Sequence, residues 1–214
     1  MPLTLGLLRH PGFPLAVEVL NAAAWAELRR QVSLPETPEA RIGVLVRAGG
    51  WPDAVERMLW DAETLAATAR ARERLLGDEA ARLWQYVPRL TALPYPPPPD
   101  GLWVRLGVLP AQVAEALQTL EASLDVRVIG QAQATAGVIC ARAHGPLEAL
   151  LRWGEALRSF AVGRGRHFTL LNGPGATRRA LGLWAPQRPE IAAMQRIKAQ
   201  LDPHGRLSPG RMGW

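Results

Sequence analysis

Residues 102–109 read LWVRLGVL, residues 126–133 VRVIGQAQ, residues 137–143 GVICARA and residues 168–171 FTLL. Each is a short run rich in aliphatic or β-branched side chains with turn residues nearby, which predicts a strand. Between the first and second, Pro110 opens a helix with Val113, Leu117 and Leu120 on one face. Between the third and fourth, Pro146 opens another with Leu147, Leu150, Leu151, Ala156 and Leu157. The order strand-helix-strand-strand-helix-strand is that of the split βαβ unit. It predicts an α+β protein: a ferredoxin-like antiparallel sheet with helices packed on one face.

Toward the N-terminus, residues 15–20 (LAVEVL) alternate around Glu18 and predict a strand. Asn21 is placed to cap a helix through Ala22, Trp25, Leu28 and Arg29. Residues 34–39, with Pro35 and Pro38, predict a loop. Residues 41–48 (RIGVLVRA) predict a second strand, ended by Gly49-Gly50. From Pro52 the apolar positions Val55, Leu59, Ala62, Leu65, Ala66 and Ala69 predict a helix to about Leu76. Gly77 should break it, and Asp78 restart it through Leu83 and Trp84 until Pro88. The two early strands are expected to extend the sheet or to form a second, partial copy.

Residues 93–100 (LPYPPPPD) predict extended polyproline. A ligand for an SH3-like groove is one reading; a stiff connector is the other. The chain thus divides into an N-terminal lobe (1–92), a connector (93–100) and the core with a C-terminal helix and tail (101–214). That helix is expected over Glu190–Leu201, with Ile191, Met194, Ile197 and Leu201 as its apolar stripe and Asp202-Pro203 ending it.

The 214 residues, 48% hydrophobic, suffice for one sizeable core. No apolar run reaches the roughly 18 residues a membrane helix needs. Met1 to Leu8 lack a charged leader region and His10-Pro11-Gly12 follows, so no secretory leader and a cytoplasmic location are expected. The single Cys140 excludes an internal disulfide and a cysteine-based metal site; in its apolar strand it reads as a small buried hydrophobe. The net charge of +6 is carried by arginine, with Lys198 the only lysine. Arg29, Arg57, Arg74, Arg105, Arg127 and Arg152 are scattered, without the interleaved aromatics of a nucleic-acid platform. A docking face for an acidic protein partner fits better than nucleic acid. The eight tryptophans are expected mostly to fill the core.

His144, His167 and His204 are isolated, with no carboxylate at ligand spacing, and His10 falls in an N-terminal turn. No metal site is expected, and no residue is assigned to catalysis. Gly173-Pro174-Gly175 lacks the Lys-Ser/Thr of a phosphate loop and predicts a tight turn.

Three blocks nevertheless carry a resemblance. Residues 183–212 (LWAPQRPEIAAMQRIKAQLDPHGRLSPGRM) resemble the C-terminal signature of FAD-linked oxidases of the glycolate oxidase type. There a helix ending in Ile/Leu-Lys leads into Asp-Pro-x-Gly and then Asn-Pro-Gly-Arg-Met. Residues 165–171 (GRHFTLL) are similar to the Gly-Gly-His-x-Thr-Leu-Leu block of the E-subunit branch of that family. Residues 102–110 (LWVRLGVLP) are similar to its Leu-Trp-Arg-Leu-x-Val-Pro strand. The blocks cover about residues 100 to 212. Before them, residues 13–20 (FPLAVEVL) match only loosely the strand that opens the family's cap domain.

The resemblance implies the cap half of an enzyme whose other half, a flavin-binding domain of the PCMH type, is expected on a separate polypeptide. It implies FAD, held mainly by that flavin-binding subunit, and an iron–sulfur subunit that takes the electrons onward. The reaction would be oxidation of a 2-hydroxy acid, glycolate to glyoxylate, by a complex peripheral to the inner membrane. His167, Ser208 and Arg211 are the residues expected to face a cofactor. Two departures bear on this: Asn172-Gly173-Pro174 stands where the family has Arg-Ala-Pro, and Ser208 stands where it has Asn. The alternative is a non-catalytic ferredoxin-like binding or assembly module. Either reading predicts an uncovered face that a partner or a homodimer would bury.

Overall fold

Seven strands share one antiparallel sheet in a computed structural model, which describes residue 6 and residues 14–34, 42–69, 71–94, 98–123, 125–185 and 189–209. In chain order the described elements are β1 (Ala16–Asn21), α1 (Ala22–Val32), β2 (Ile42–Arg47), α2 (Pro52–Leu65), α3 (Gly77–Tyr86), β3 (Gly101–Gly107), α4 (Val113–Glu121), β4 (Arg127–Gln133), β5 (Val138–His144), α5 (Leu147–Gly163), β6 (His167–Asn172), α6 (Gly175–Leu181), β7 (Trp184–Ala185) and α7 (Pro189–Leu201). The strands lie in the order β2-β1-β4-β5-β3-β6-β7. The fold is therefore α+β, and the two N-terminal strands extend the sheet beyond β4 rather than forming a copy of it.

Register decides which side chains share a face. Leu102, Val104 and Leu106 of β3 fall on the first face with Ile139, Ala141 and Ala143 of β5 and with Phe168 and Leu170 of β6. Val128 and Ala132 of β4 and Val17 and Val19 of β1 continue it. Val113, Leu117 and Leu120 of α4 and Leu150, Trp153 and Leu157 of α5 close this core. The indole Nε1 of Trp153 donates to the Leu120 carbonyl at 3.0 Å, tying the two helices together. Burial of these large side chains is the main driving force here, at about 2 kcal/mol per fully buried aliphatic side chain.

The second face is also covered at one end, which corrects the expectation of helices on one face only. Leu20, Leu45 and Ile129 point there and pack with Ala24 and Leu28 of α1, Leu83 of α3, and Val87 and Leu90 beyond it. The cause is legible in β1 and β4: their burial runs unbroken through consecutive residues, so both faces need a cover.

Asn21 joins these layers. Its Oδ1 accepts from the Ala24 amide at 3.0 Å, the expected N-cap of α1. The same oxygen accepts from the Gly130 amide at 3.0 Å, and Nδ2 donates to the Val128 carbonyl at 3.0 Å. The β1–β4 ladder stops at Leu20 opposite Gln131, so the side-chain amide continues it in place of backbone. At Gly130 a Cβ would stand 2.9 Å from Leu120 Cδ1, so the close packing there favours glycine.

Elsewhere the structure departs from expectation. α2 ends at Leu65, not Leu76, because the following segment folds back along it: Arg72 donates to the Glu63 carbonyl, and Arg74 bonds both Glu63 (2.6 Å) and Glu56 (2.9 Å). Gly77 accordingly begins α3 instead of breaking a longer helix. A helix, α6, follows the turn at Gly173-Pro174, with the Thr177 hydroxyl donating to the Pro174 carbonyl at 2.7 Å. α6 comes close to α5 because Gly154 leaves room for Leu181. The apolar stripe of α7 is not covered: Met194, Ile197 and Leu201 are exposed. Of the tryptophans, Trp103 and Trp153 are buried, Trp25 and Trp84 half-buried against the second-face cluster, and Trp51, Trp60 and Trp184 exposed. Trp214, Arg211 and part of each proline-rich segment, residues 35–40 and 95–97, lie outside the described residues.

Asn21→Ala removes a helix cap and leaves the Gly130 amide and the Val128 carbonyl buried without this partner. The expected loss is roughly 3 kcal/mol, summed from the cap and the unmet groups. Urea unfolding measures it; a loss near zero would remove the clamp role.

Candidate functional site: an open sheet face

Among the described residues the second-face cluster ends at Ile129 and takes in no residue of β5, β3, β6 or β7, although Trp103 of β3 is buried on the same face. On that half a cross-strand row runs Gln131, Cys140, Arg105, Thr169, Trp184, each directly opposite the next. A neighbouring row carries Glu18, Gln133, Val138, Gly107 and His167. On the other side Ile129, Arg142, Trp103 and Asn172 align, with a bulge between Trp103 and Val104. Alternation along each strand thus gathers polar side chains here while their apolar neighbours enter the first-face core.

Glu18 is the least expected of them. It is 4% exposed, and its carboxylate accepts from Gln131 Nε2 at 3.1 Å. Burial pushes its pKa up to about 7, against the smaller opposing pull of hydrogen bonds from Gln131 and Gln133. Gln131 in turn accepts from the Thr91 hydroxyl at 3.4 Å, a long bond that links the segment after α3 to the sheet.

Beside this group sits Cys140, half-buried. Burial raises its thiol pKa; Arg105 pulls it down less strongly, and Glu18 adds a further rise. A thiol held protonated is a poor nucleophile, so nothing here activates Cys140 for covalent chemistry. Arg105 is exposed and unpaired among the described residues. Arg142, by contrast, is held by Glu27 of α1 at 2.7 Å. Trp103 is fully buried, with the His144 ring edge-on at 5.4 Å and its own Nε1 unpartnered. His144 Nδ1 stands 4.0 Å from Asp100 Oδ1.

Of the residues expected to face a cofactor, His167 and Ser208 fall on different elements. His167 begins β6, exposed, with its ring against Gly107. Ser208 lies in the exposed turn after α7, with φ of 46°. Arg211 lies outside the described residues. His204 is exposed in the same turn. Among the described residues no group of three His, Cys, Asp or Glu is placed to hold a metal.

The Asp202-Pro203-His204-Gly205 stretch closes on itself. Asp202 Oδ2 accepts from Lys198 Nζ at 2.7 Å and from the Leu207 amide at 2.9 Å, and Oδ1 from the Arg206 amide at 2.7 Å. The Lys198 ammonium, then the Leu207 amide, hold this carboxyl below the usual carboxylate range. Two of the three resemblance blocks do meet: residues 102–110 and 165–171 supply the paired strands β3 and β6, with Arg105 opposite Thr169 and Gly107 opposite His167.

Sequence reasoning missed Glu18, Gln131 and Arg105 as a group. The signal was a lone acid inside LAVEVL and two glutamines at alternate positions of VRVIGQAQ. Only the register shows that they share a face.

A carboxyl whose folded pKa is near 7 binds a proton that the unfolded chain has already released above about pH 4.5. Stability therefore falls as pH rises from about 4.5 to 7, and the Glu18 contribution then levels off, a total of roughly 3 kcal/mol. Glu18→Gln should flatten this part of the stability–pH curve and unfold at higher urea than the parent at pH 8. An unchanged slope would mean Glu18 titrates normally.

No protein-family model matches the chain, and no curated protein matches it.

Proposed function

We propose that this chain is the cap half of an FAD-linked oxidoreductase complex of the glycolate oxidase type. The observation that carries the reading is the pairing of β3 with β6, which lays the LWVRLGVLP and GRHFTLL blocks side by side at one end of the order β4-β5-β3-β6. That order, with α4 and α5 on one face, supports a ferredoxin-like core within the larger sheet.

In this reading the complex oxidises a 2-hydroxy acid such as glycolate to the 2-oxo acid. The hydroxyl-bearing carbon gives up a hydride and the hydroxyl a proton. FAD, the acceptor, belongs to the separate flavin-binding subunit, and an iron–sulfur subunit receives the electrons. His167 stands on the sheet and Ser208 in the tail turn, two different elements. No step is therefore assigned to residues of this chain. Its work is structural: to cover and shape the partner's site. The location is cytoplasmic, peripheral to the inner membrane through the complex; among the described residues no helix is long and apolar enough to cross a membrane.

The open sheet face favours a second reading, a non-catalytic binding module. An arginine without a carboxylate partner among the described residues, in the same cross-strand row as exposed Trp184, suits docking better than chemistry.

Two preparations separate these readings. The chain purified alone, with added FAD, should stay colourless. The tagged chain recovered from its source cells should bring a flavoprotein with bands near about 370 and 450 nm, bleached by glycolate. A recovered complex without flavin would leave the module reading in place.

A further inference from the structure

We infer that the open half of the second sheet face docks a protein segment that presents an aspartate or glutamate side chain to Arg105, between apolar side chains that cover Trp184 and Leu171. This rests on the reading of the chain as one part of an assembly. It does not depend on which reaction the assembly performs.

Charge decides the occupant. Arg74, Arg142, Arg152 and Arg164 each hold a carboxylate of this chain. Arg105 holds none among the described residues, yet it stands in the row between Cys140 and Thr169. The acids nearest this face are engaged: Glu18 is buried against Gln131, and Glu27 is taken by Arg142. A guanidinium offers five donors in a fork that matches a carboxylate, and the net charge of +6 adds a general attraction for acidic surfaces.

Shape agrees with charge. Trp184, two strands along the row from Arg105, is 40% exposed and Leu171, at the β6 bulge, 46% exposed, so two apolar anchors lie on the β6-β7 side of the arginine. Tryptophan and arginine together are the side chains that carry most binding energy at protein interfaces. A second copy that offered its exposed α7 stripe would bring the Arg196 guanidinium toward Arg105, like charge against like charge.

The test uses the full chain, labelled with nitrogen-15, and three probes: the blocked peptide acetyl-Leu-Ala-Glu-Ala-Leu-amide, its Gln counterpart, and acetate. The Glu peptide should shift the amide signals of Arg105 and Thr169 and the indole signal of Trp184, leaving α2 and α3 unmoved. The Gln peptide, or the Glu peptide with Arg105→Gln, should bind about tenfold more weakly, the loss of one charge-assisted pair. Arg105→Lys should recover part of it. Four results would overturn the proposal: no shift on this face, equal binding of the Glu and Gln peptides, equal binding to Arg105→Gln, or acetate binding as tightly as the peptide. Signals of this face that move with protein concentration alone would put a second copy there and overturn it too.

Discussion

Between β1 and β4 the backbone ladder runs out one residue before the chain turns into α1, and the amide of Asn21 takes over its last rungs. Much of the N-terminal third depends on that substitution. It fixes the register of β1 on β4, and β2 then follows β1 residue by residue. It also fixes the start of α1, whose Ala24 and Leu28 cover the second face where Leu20 and Ile129 emerge. One side chain thus sets both the width of the sheet and the helix that lies on it. The arrangement works because a primary amide has a donor and an acceptor at the spacing of a peptide unit.

The result is a sheet with two unequal faces. The first is sealed by α4, α5 and α6 and is largely apolar, with Asn21 and Thr177 as its buried polar members. The second is sealed over its β2-β1-β4 end and at Trp103, and among the described residues carries mostly polar side chains elsewhere. Glu18 and Gln131 sit at the boundary, buried by the cover yet facing the open row. A buried carboxyl at such a boundary is costly in its charged form, which is why its proton is held to near neutrality. The same boundary explains why Arg105, only two strands farther along the row, keeps its guanidinium in solvent.

Much of this was legible in the sequence, element by element. Period-two runs marked β1 to β6, and the asparagine before Ala22 marked a helix start. What one-dimensional patterns could not carry was register. Asn21 reads as a cap; that it also clamps Gly130 and Val128 depends on which residues of β4 lie beside it. Likewise Glu18, Cys140 and Arg105 come from strands more than eighty residues apart in the extreme and meet only through the pairings. The overlong α2 had another cause. Its helical pattern continued, but Arg72 and Arg74 found carboxyl and carbonyl partners by turning back, a tertiary choice that propensity does not see. The stripe on α7 misled in the opposite sense: its period was right, but periodicity says which side chains share a face, not that the face is covered. At the candidate site His167 was singled out by resemblance, while the row it borders was found only in three dimensions.

Because Lys198 is the only lysine in the chain, side-chain amine chemistry is concentrated at one place, the turn that closes α7. Acylating that nitrogen would strip the charge that Asp202 leans on and free the Leu207 carbonyl it also bonds, loosening the turn while leaving the sheet untouched. A reagent selective for lysine side chains would therefore mark this molecule at a single defined position.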